Sequence, residues 1–253
     1  MRLEAGDSIR LPPFAWHMAT QAHANHEESR LPLPPEIERY KGLIAYAKPA
    51  GLPTHPGTGH SDSLASRLAA AADGSFVPVP CHRLDKDTEG VLLVATSYAS
   101  LRMVQDALAN HTLIKEYVCW VSGAWPQSAP THLTDYLVKA GQSGSEKMVL
   151  AHEGMGKKAE TIVTPLWVSG EKSLLQVRIA SGRTHQIRVQ LAHAGHPVLF
   201  DHKYGVFPRT PHRLMLCAAK ITLPDGHTIR FLPTWEEPYA VNAILQHSPD
   251  WHI

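Results

Sequence analysis

Residues 82–95 read HRLDKDTEGVLLVA, a polar, turn-forming segment that leads into five consecutive apolar residues. The continuous apolar run from Val91 to Ala95 is typical of a strand that is buried on both faces. Asp85 therefore lies at a junction between turn and strand, where a carboxylate can project into a cleft while its backbone is held. Taken alone, an aspartate in such a turn more often binds nearby backbone amides than performs chemistry.

Strands and helices are predicted on both sides of this segment. Gly42 to Tyr46 forms a short apolar strand, and Ser61 or Asp62 can cap a helix that carries Leu64 and Leu68 on one face. Further predicted elements are a helix from Ser97 to about Asn110, strands at 115–121, 161–168, 174–180, 214–223 and 228–232, and a helix that starts near Arg183 and is closed by Gly195.

The predicted strands outnumber the helices and often follow each other directly. This order favours an α+β fold with a mixed, mainly antiparallel sheet flanked by helices over a doubly wound parallel sheet. Several prolines and a polar run from Gln21 to Arg30 interrupt any periodicity near the start of the chain. We therefore predict an N-terminal tail and linker over residues 1–40 and one folded domain over residues 41–253.

The composition is that of an ordinary globular protein with nearly balanced charge. Of 253 residues, 43% are apolar, and 24 Lys and Arg stand against 23 Asp and Glu. A site for a polyanion must therefore come from local clustering of charge. The 17 histidines would add positive charge below neutral pH, so binding to a polyanion is expected to tighten on acidification.

The cysteines and the absence of long apolar stretches indicate a soluble, cytoplasmic protein. Cys81, Cys119 and Cys217 lie far apart among apolar residues, which favours buried, reduced thiols over disulfides. No apolar stretch approaches the roughly 20 residues that a membrane helix needs, and the N-terminus has no apolar signal core.

A second chemical segment, residues 181–188, reads SGRTHQIR. It places Arg183 at the predicted start of a helix, from which its guanidinium can turn back toward the sheet. A fixed guanidinium close to a buried aspartate favours the charged carboxylate, so Arg183 is a candidate partner for Asp85. The alternative is a surface arginine at a helix start, where the helix dipole mildly disfavours a cation.

These segments together resemble the RluA-type pseudouridine synthases. The resemblance rests on residues 48–57, 82–95, 115–117, 182–192 and 195–199, with Asp201, Tyr204 and Gly205, and it extends over about residues 41–233. It implies an enzyme that isomerises uridine to pseudouridine in RNA without cofactor or metal. The domain at 41–253 would then be the catalytic domain.

The resemblance also implies roles for individual residues. Asp85 is the catalytic carboxylate, Arg183 pairs with it, Tyr117 stacks on the target base, and Arg83 holds the flipped nucleotide out of its helix. Further base or RNA contacts are expected from His82, Thr88, Lys115, Arg188 and Lys203. For Lys115, Arg188 and Lys203, taken singly, solvated surface charge is at least an equally good explanation.

The chain departs from the family pattern at a few positions. Glu89 stands where a small residue is usual, and Gln190 and Cys217 stand where histidine is common, which can alter substrate contacts. Residues 3–13 resemble the end of the S4-type RNA-binding module that many members carry first. We therefore expect residues 1–40 to include a remnant of that module.

Other functions fit the same features less well. One is a catalytically inactive RNA-binding protein on the same fold, although the intact set of Asp85, Tyr117 and Arg183 argues against it. Another is a metal site that uses His82 with Asp85 or the two histidines at 193 and 196, but no third ligand has a recognisable spacing. We expect no metal, a monomer, and large-subunit ribosomal RNA as substrate, with transfer RNA as the second choice.

Overall fold

The computed structural model describes residues 31–57, 61–74, 76–141, 147–205, 212–246, 248 and 251. Its strands are β1 Glu36–Tyr40, β2 Leu43–Lys48, β3 Val79–Pro80, β4 Glu89–Ala95, β5 Ile114–Ser122, β6 Thr131–Ala140, β7 Lys147–Ala151, β8 Lys157–Val168, β9 Lys172–Ile179, β10 Leu216–Thr222 and β11 Thr228–Arg230. Its helices are α1 Leu64–Ala71, α2 Tyr98–Ala109, α3 Gln186–His193 and α4 Asn242–Leu245.

The strands form one sheet in the order β1-β2-β4-β10-β5-β9-β8-β6-β7, with β3 paired to β4 and β11 paired to β10. Among the described strand pairs, β4 and β10 run parallel and the others run antiparallel. The predicted α+β fold with a mixed, mainly antiparallel sheet is therefore confirmed. The parallel pair brings the end of the polar segment at Glu89 and Gly90 beside β10.

Strand β4 is buried on both faces, as its apolar run predicts. Leu92 and Val94 belong to a large apolar cluster that also contains residues of α1, α3 and α4. Val91, Leu93 and Ala95 face the opposite side, in a cluster that includes residues of α2. Because all five are 0% exposed, β4 forms a rigid base for the polar segment that precedes it.

The helix caps agree only in part with the prediction. Ser97 caps α2 as expected, because its hydroxyl accepts the Ser100 N–H at 3.2 Å. The cap of α1 is Ser63, and not Ser61 or Asp62, since the Ser63 hydroxyl accepts the Ser66 N–H at 3.1 Å. Asp62 instead forms an ion pair with Arg67 at 2.7 Å.

Three predicted boundaries differ from the structure. Strand β1 lies within the predicted linker and pairs with β2, so the folded domain begins before Lys41. Strands β6 and β7 lie between the predicted strands at 115–121 and 161–168, where no strand is predicted from the sequence. Helix α3 begins at Gln186, three residues after Arg183. The segment at residues 3–13 lies outside the described residues.

The buried cysteines are confirmed, since Cys81, Cys119 and Cys217 are buried and free. Within the described ranges, every helix is too short or too polar to cross a bilayer.

Candidate active site

Asp85 lies in the loop between β3 and β4, and the backbone on both sides of it is held by hydrogen bonds. The Thr54 hydroxyl donates to the Leu84 carbonyl at 2.9 Å and accepts the Leu84 N–H at 3.1 Å. The Lys86 carbonyl accepts the Gly51 N–H at 2.9 Å. The loop after β2 therefore fixes the position from which the Asp85 carboxylate projects.

Lys48, at the end of β2, ties the same two loops together from below. Its buried ammonium donates to the carbonyls of Pro49 at 2.9 Å, Leu52 at 2.8 Å and Lys86 at 3.1 Å. Burial lowers the pKa of Lys48 to about 8, against the opposing influence of the negative charge of Asp85. Lys48 thus holds the two loops together by binding their backbone carbonyls.

The cation closest to Asp85 is Arg188, on the first turn of α3. Its Nη1 lies 3.5 Å from Asp85 Oδ2, while its Nε and Nη2 donate to the two carboxylate oxygens of Asp201 at 2.7 and 2.8 Å. Burial opposes the charge of Arg188, but the bond to Asp201 and the charges of Asp201 and Asp85 outweigh burial and raise its pKa. Asp201 therefore fixes the guanidinium in the orientation that faces Asp85.

The predicted pairing of Arg183 with Asp85 is wrong for this structure. Arg183 is exposed, and its Nε donates to the Lys158 carbonyl at 3.0 Å. Because α3 starts only at Gln186, Arg183 lies in the loop before the helix, and Arg188 is the arginine that α3 turns toward the sheet. Arg188 is only 5% exposed, so it is not a solvated surface charge, and its predicted contact to a base or to RNA stays a prediction.

His185 lies beside Asp85 and is held by Tyr204. The Tyr204 hydroxyl accepts the Met148 N–H at 2.9 Å and lies 2.7 Å from His185 Nδ1. Burial, together with the positive charge of Arg188, holds the pKa of His185 below its usual value despite the charge of Asp85. The ring is therefore neutral near pH 7, and its Nε2 lies 3.9 Å from Asp85 Oδ2.

Asp85 lines a cleft of about 350 Å³. Tyr117 of β5 forms part of its wall and is buried, and burial followed by the charge of Asp85 raises the pKa of its phenol, which stays neutral. Arg83 is exposed at the same cleft, and Thr88 lines it with a buried side chain. The cleft thus brings together Asp85, Tyr117, Arg83 and Thr88 of the predicted site.

His82 lines the cleft but is engaged by the sheet. Strand β3 ends at Pro80, and beyond it the His82 Nε2 accepts the Leu93 N–H of β4 at 3.1 Å. Burial, and then the charge of Lys115, lower the pKa of His82 to about 3. A ring that must accept a backbone N–H is neutral, so His82 fastens the polar loop to β4.

The two predicted lysines lie in different places. Lys115 of β5 lines the cleft and is 8% exposed. Lys203 is exposed, does not line the cleft, and donates its backbone N–H to Asp201 at 2.9 Å. Its charge is nevertheless close enough to lower the pKa of His185.

A family model described as RNA pseudouridylate synthase matches residues 42–193, which is more than half of the chain. The chain belongs to this family. The RluA-type resemblance seen in the sequence is therefore confirmed. The matched range contains Asp85, Tyr117 and Arg188, whereas Asp201 and Tyr204, which hold Arg188 and His185, lie beyond it.

Pseudouridine synthases from bacteria are similar to this chain over most of its length. Ribosomal large subunit pseudouridine synthase C of Salmonella typhimurium is 32% identical over 212 residues, which cover 81% of this chain and 64% of that relative. The protein of the same name from Pasteurella multocida is 33% identical over 251 residues, covering 96% and 75%. This chain therefore spans less than two thirds of the first relative's length.

The fold is also that of solved pseudouridylate synthase domains. Human RNA pseudouridylate synthase domain containing 4 has a TM-score of 0.65 and 23% identity, covering 79% of this chain and 88% of that chain. Human RNA pseudouridylate synthase domain containing 1 has a TM-score of 0.63 and 22% identity, covering 83% and 86%. At this identity the similarity concerns the fold.

Two of the departures from the pseudouridine synthase pattern are bound into local networks. Glu89 accepts the indole N–H of Trp235 at 2.5 Å, so it fastens the segment after β11 to the start of β4. Gln190 accepts the Thr161 hydroxyl proton at 2.6 Å and donates to the Asp135 carboxylate at 2.7 Å. Both side chains therefore make structural contacts, away from the cleft lining.

Two of the histidines considered as metal ligands have other partners. His82 Nε2 is bound to the Leu93 N–H, and His196 Nδ1 lies 2.9 Å from the Ser122 carbonyl. Across the described ranges, no three His, Cys, Asp or Glu side chains are grouped to hold a metal ion.

Proposed function

We propose that this protein isomerises uridine to pseudouridine in RNA, with Asp85 as the catalytic carboxylate. The N1–C1′ bond breaks, the C5–C1′ bond forms, the proton on C5 leaves, and N1 gains a proton. No electrons are exchanged with a second substrate, so the reaction needs no redox cofactor. An aspartate can act in it as the nucleophile or as the proton acceptor.

The observation that carries this proposal is a carboxylate at the cleft whose charge has a fixed partner. Asp201 orients the guanidinium of Arg188 toward Asp85. Nε2 of His185 lies 3.9 Å from the same carboxylate oxygen. A fixed positive charge beside an aspartate favours the ionised carboxylate that a reactive group requires in a partly buried site.

The cleft suits one extruded nucleotide. Its volume of about 350 Å³ falls in the range of small-ligand sites, roughly 300–1,000 Å³. A stacked base cannot turn, and extruding it from a helix costs a few kcal/mol. Stacking on Tyr117 and contacts from Arg83 and Thr88 would offset that cost. Lys203, outside the cleft, would meet the RNA backbone.

The proposal is tested by tritium release from RNA labelled at uridine C5. Asp85→Asn preserves size and removes the charge, so we expect release to fall by at least about a hundredfold. Asp87→Asn, in the same loop but exposed, is the matched control and is expected to keep nearly full activity. Equal release by wild type and Asp85→Asn would remove Asp85 from the mechanism.

We further propose large-subunit ribosomal RNA as the substrate, with transfer RNA as the second choice. The support is that the relatives from Salmonella typhimurium and Pasteurella multocida are named for the ribosomal large subunit. Mapping of pseudouridines in cells with and without the gene tests this choice. RNA binding without isomerisation of any cellular RNA would instead favour an inactive binding protein.

The catalytic unit is proposed to start at β1 and to run to the C-terminal region. Trp251 and Leu245 are each 1% exposed and pack in the same apolar cluster as Tyr117 and Leu92. Within this unit the N-terminal tail is not required for the site, and the chain is expected to act as a monomer without metal.

A further inference from the structure

Lys115 is a cation at the cleft for which none of the contacts described above supplies a protein partner. Lys115, near the start of β5, is 8% exposed and lines the cleft. Among the described residues, its ammonium has no hydrogen-bond partner, and burial lowers its pKa. The side chain is buried along its length while its ammonium opens to the cleft, so the charge is free to bind an anionic group of a ligand there.

The surroundings of this ammonium are open on one side because of a glycine. A Cβ added to Gly182 would lie 3.3 Å from Lys115 Nζ, so a side chain there would fill the space in front of the ammonium. Gly182 belongs to the loop that leads into α3, whose N-terminal end carries partial positive charge. Lys115 and the residues at the start of the helix therefore line the same cleft.

The other groups around this space favour an anion as well. His82 is neutral, and Arg183 and His111 line the same cleft. The His111 ring lies with Nδ1 2.8 Å from the Ala180 carbonyl, so its Nδ1 carries a proton. Asp85 is the acidic side chain of the described lining, and its charge is matched by Arg188.

We propose that Lys115 and the Gly182 loop form a phosphate subsite, which binds the phosphodiester directly flanking the target uridine. The inference rests on the proposed function, and it assigns one part of the substrate to one part of the cleft. The bound phosphate positions the extruded nucleotide, so Lys115 acts in binding and not in the bond exchange. Its loss should raise KM for RNA and leave kcat nearly unchanged.

The experiment pairs a protein change with a matching change in the RNA. Short RNA substrates carry a neutral methylphosphonate either 5′ or 3′ to the target uridine, and wild type is compared with Lys115→Met. Each change alone is expected to raise KM roughly tenfold, because a charge-assisted contact is lost. At the matching phosphate, the two changes together should cost no more than one of them.

Arg102→Gln is the control, since it removes one positive charge from the exposed face of α2. It should leave KM unchanged with every substrate. Thermal unfolding of Lys115→Met serves as the folding check, and a stable variant is expected because methionine keeps the apolar stem of the side chain and the ammonium has no partner among the described residues. Losses that add at both phosphate positions would overturn the subsite.

Binding separates failure of the subsite from failure of the proposed function. The same RNAs are titrated onto Asp85→Asn and onto Asp85→Asn with Lys115→Met. Coupled losses in Kd in the absence of any isomerisation by wild type would keep the subsite and refute the proposed activity. Active wild type with uncoupled losses would do the opposite.

Discussion

At the residue scale, the Asp85 carboxylate depends on a partner that is itself held by a second carboxylate. Arg188 uses two of its nitrogens for Asp201 and turns the third toward Asp85. This planar, three-way geometry is specific to a guanidinium, because an ammonium cannot bind two oxygens of one carboxylate side by side and face another carboxylate.

We therefore predict that Arg188→Lys impairs the reaction although it retains the charge. We expect kcat to fall by about 10- to 100-fold, since the cation no longer has a fixed position beside Asp85. The measurement is the rate of tritium release at saturating RNA, with thermal unfolding to verify the fold.

Arg183→Gln is the matched comparison for the same assay. Its side chain is bound to the Lys158 carbonyl, so we expect kcat to change by less than about threefold. A larger loss of kcat in Arg183→Gln than in Arg188→Lys would restore Arg183 as the partner of Asp85.

The sequence was informative about the types of residue at the site but not about which arginine faces the carboxylate. Asp85 and Tyr117 were predicted from their segments, and both line one cleft. The choice between Arg183 and Arg188 depends on where α3 begins. That start is set by His185, whose left-handed backbone, with φ of 53°, leaves no signal in the sequence because histidine rarely adopts it.

At the element scale, the loop that carries Asp85 ends where β4 meets β10. Gly90 has φ of 116° there, and a Cβ on it would lie 2.3 Å from the Ala218 carbonyl oxygen. The obstacle is backbone of the neighbouring strand, which cannot move without disturbing the pairing. A glycine is thus required both by conformation and by close approach.

We predict that Gly90→Ala lowers the free energy of unfolding by about 2–5 kcal/mol, from backbone strain and from the clash with β10. Urea denaturation measures the loss. Gly226→Ala is the control, because Gly226 also has positive φ, 87°, but open space around it. It should lose only about 1 kcal/mol. Equal losses in both variants would show that the contact with Ala218 is unimportant.

Elements with strong sequence patterns were predicted well, and those without were not. Strand β4 is a continuous apolar run, and α2 has a serine cap and an apolar face. Strands β6 and β7 contain many polar and partly exposed side chains, because they form the edge of the sheet and cover little of the core. Half-exposed strands bury too little apolar surface to leave a clear pattern.

At the scale of the whole molecule, three buried or partly buried histidines have pKa values below that of a free imidazole. His55, His82 and His185 have lowered pKa values, with burial as the largest cause. They resist protonation in the folded state and gain a proton on unfolding. Through these three side chains, acidification should weaken the fold, whereas the tightening of polyanion binding expected from the composition stays a prediction.

We predict that His82 makes the folded state sensitive to acid. Its pKa is about 3 in the fold against 6.5 in the unfolded chain, so the unfolded state binds more protons between these values and stability falls as pH drops below 6.5. At pH 5 the loss relative to pH 7 should be about 1–2 kcal/mol.

The measurement is urea denaturation at pH 7 and pH 5 for wild type and for His82→Gln. The glutamine carbonyl can accept the Leu93 N–H without titrating, so the pH-dependent loss should be smaller in the variant by that amount. An identical pH dependence in both proteins would mean that His82 does not contribute to acid sensitivity.

The parallel pairing of β4 with β10 has a consequence for how the protein reaches its native state. Strand β10, which pairs with β4, is synthesised only after β5 to β9. Asp85 and Arg188 are likewise separated by 103 positions along the chain. Contacts between such distant segments carry a high entropic cost of loop closure and form slowly. Recovery of enzymatic turnover during refolding should therefore lag behind the formation of helices and local hairpins, and turnover becomes a reporter of the final folding step.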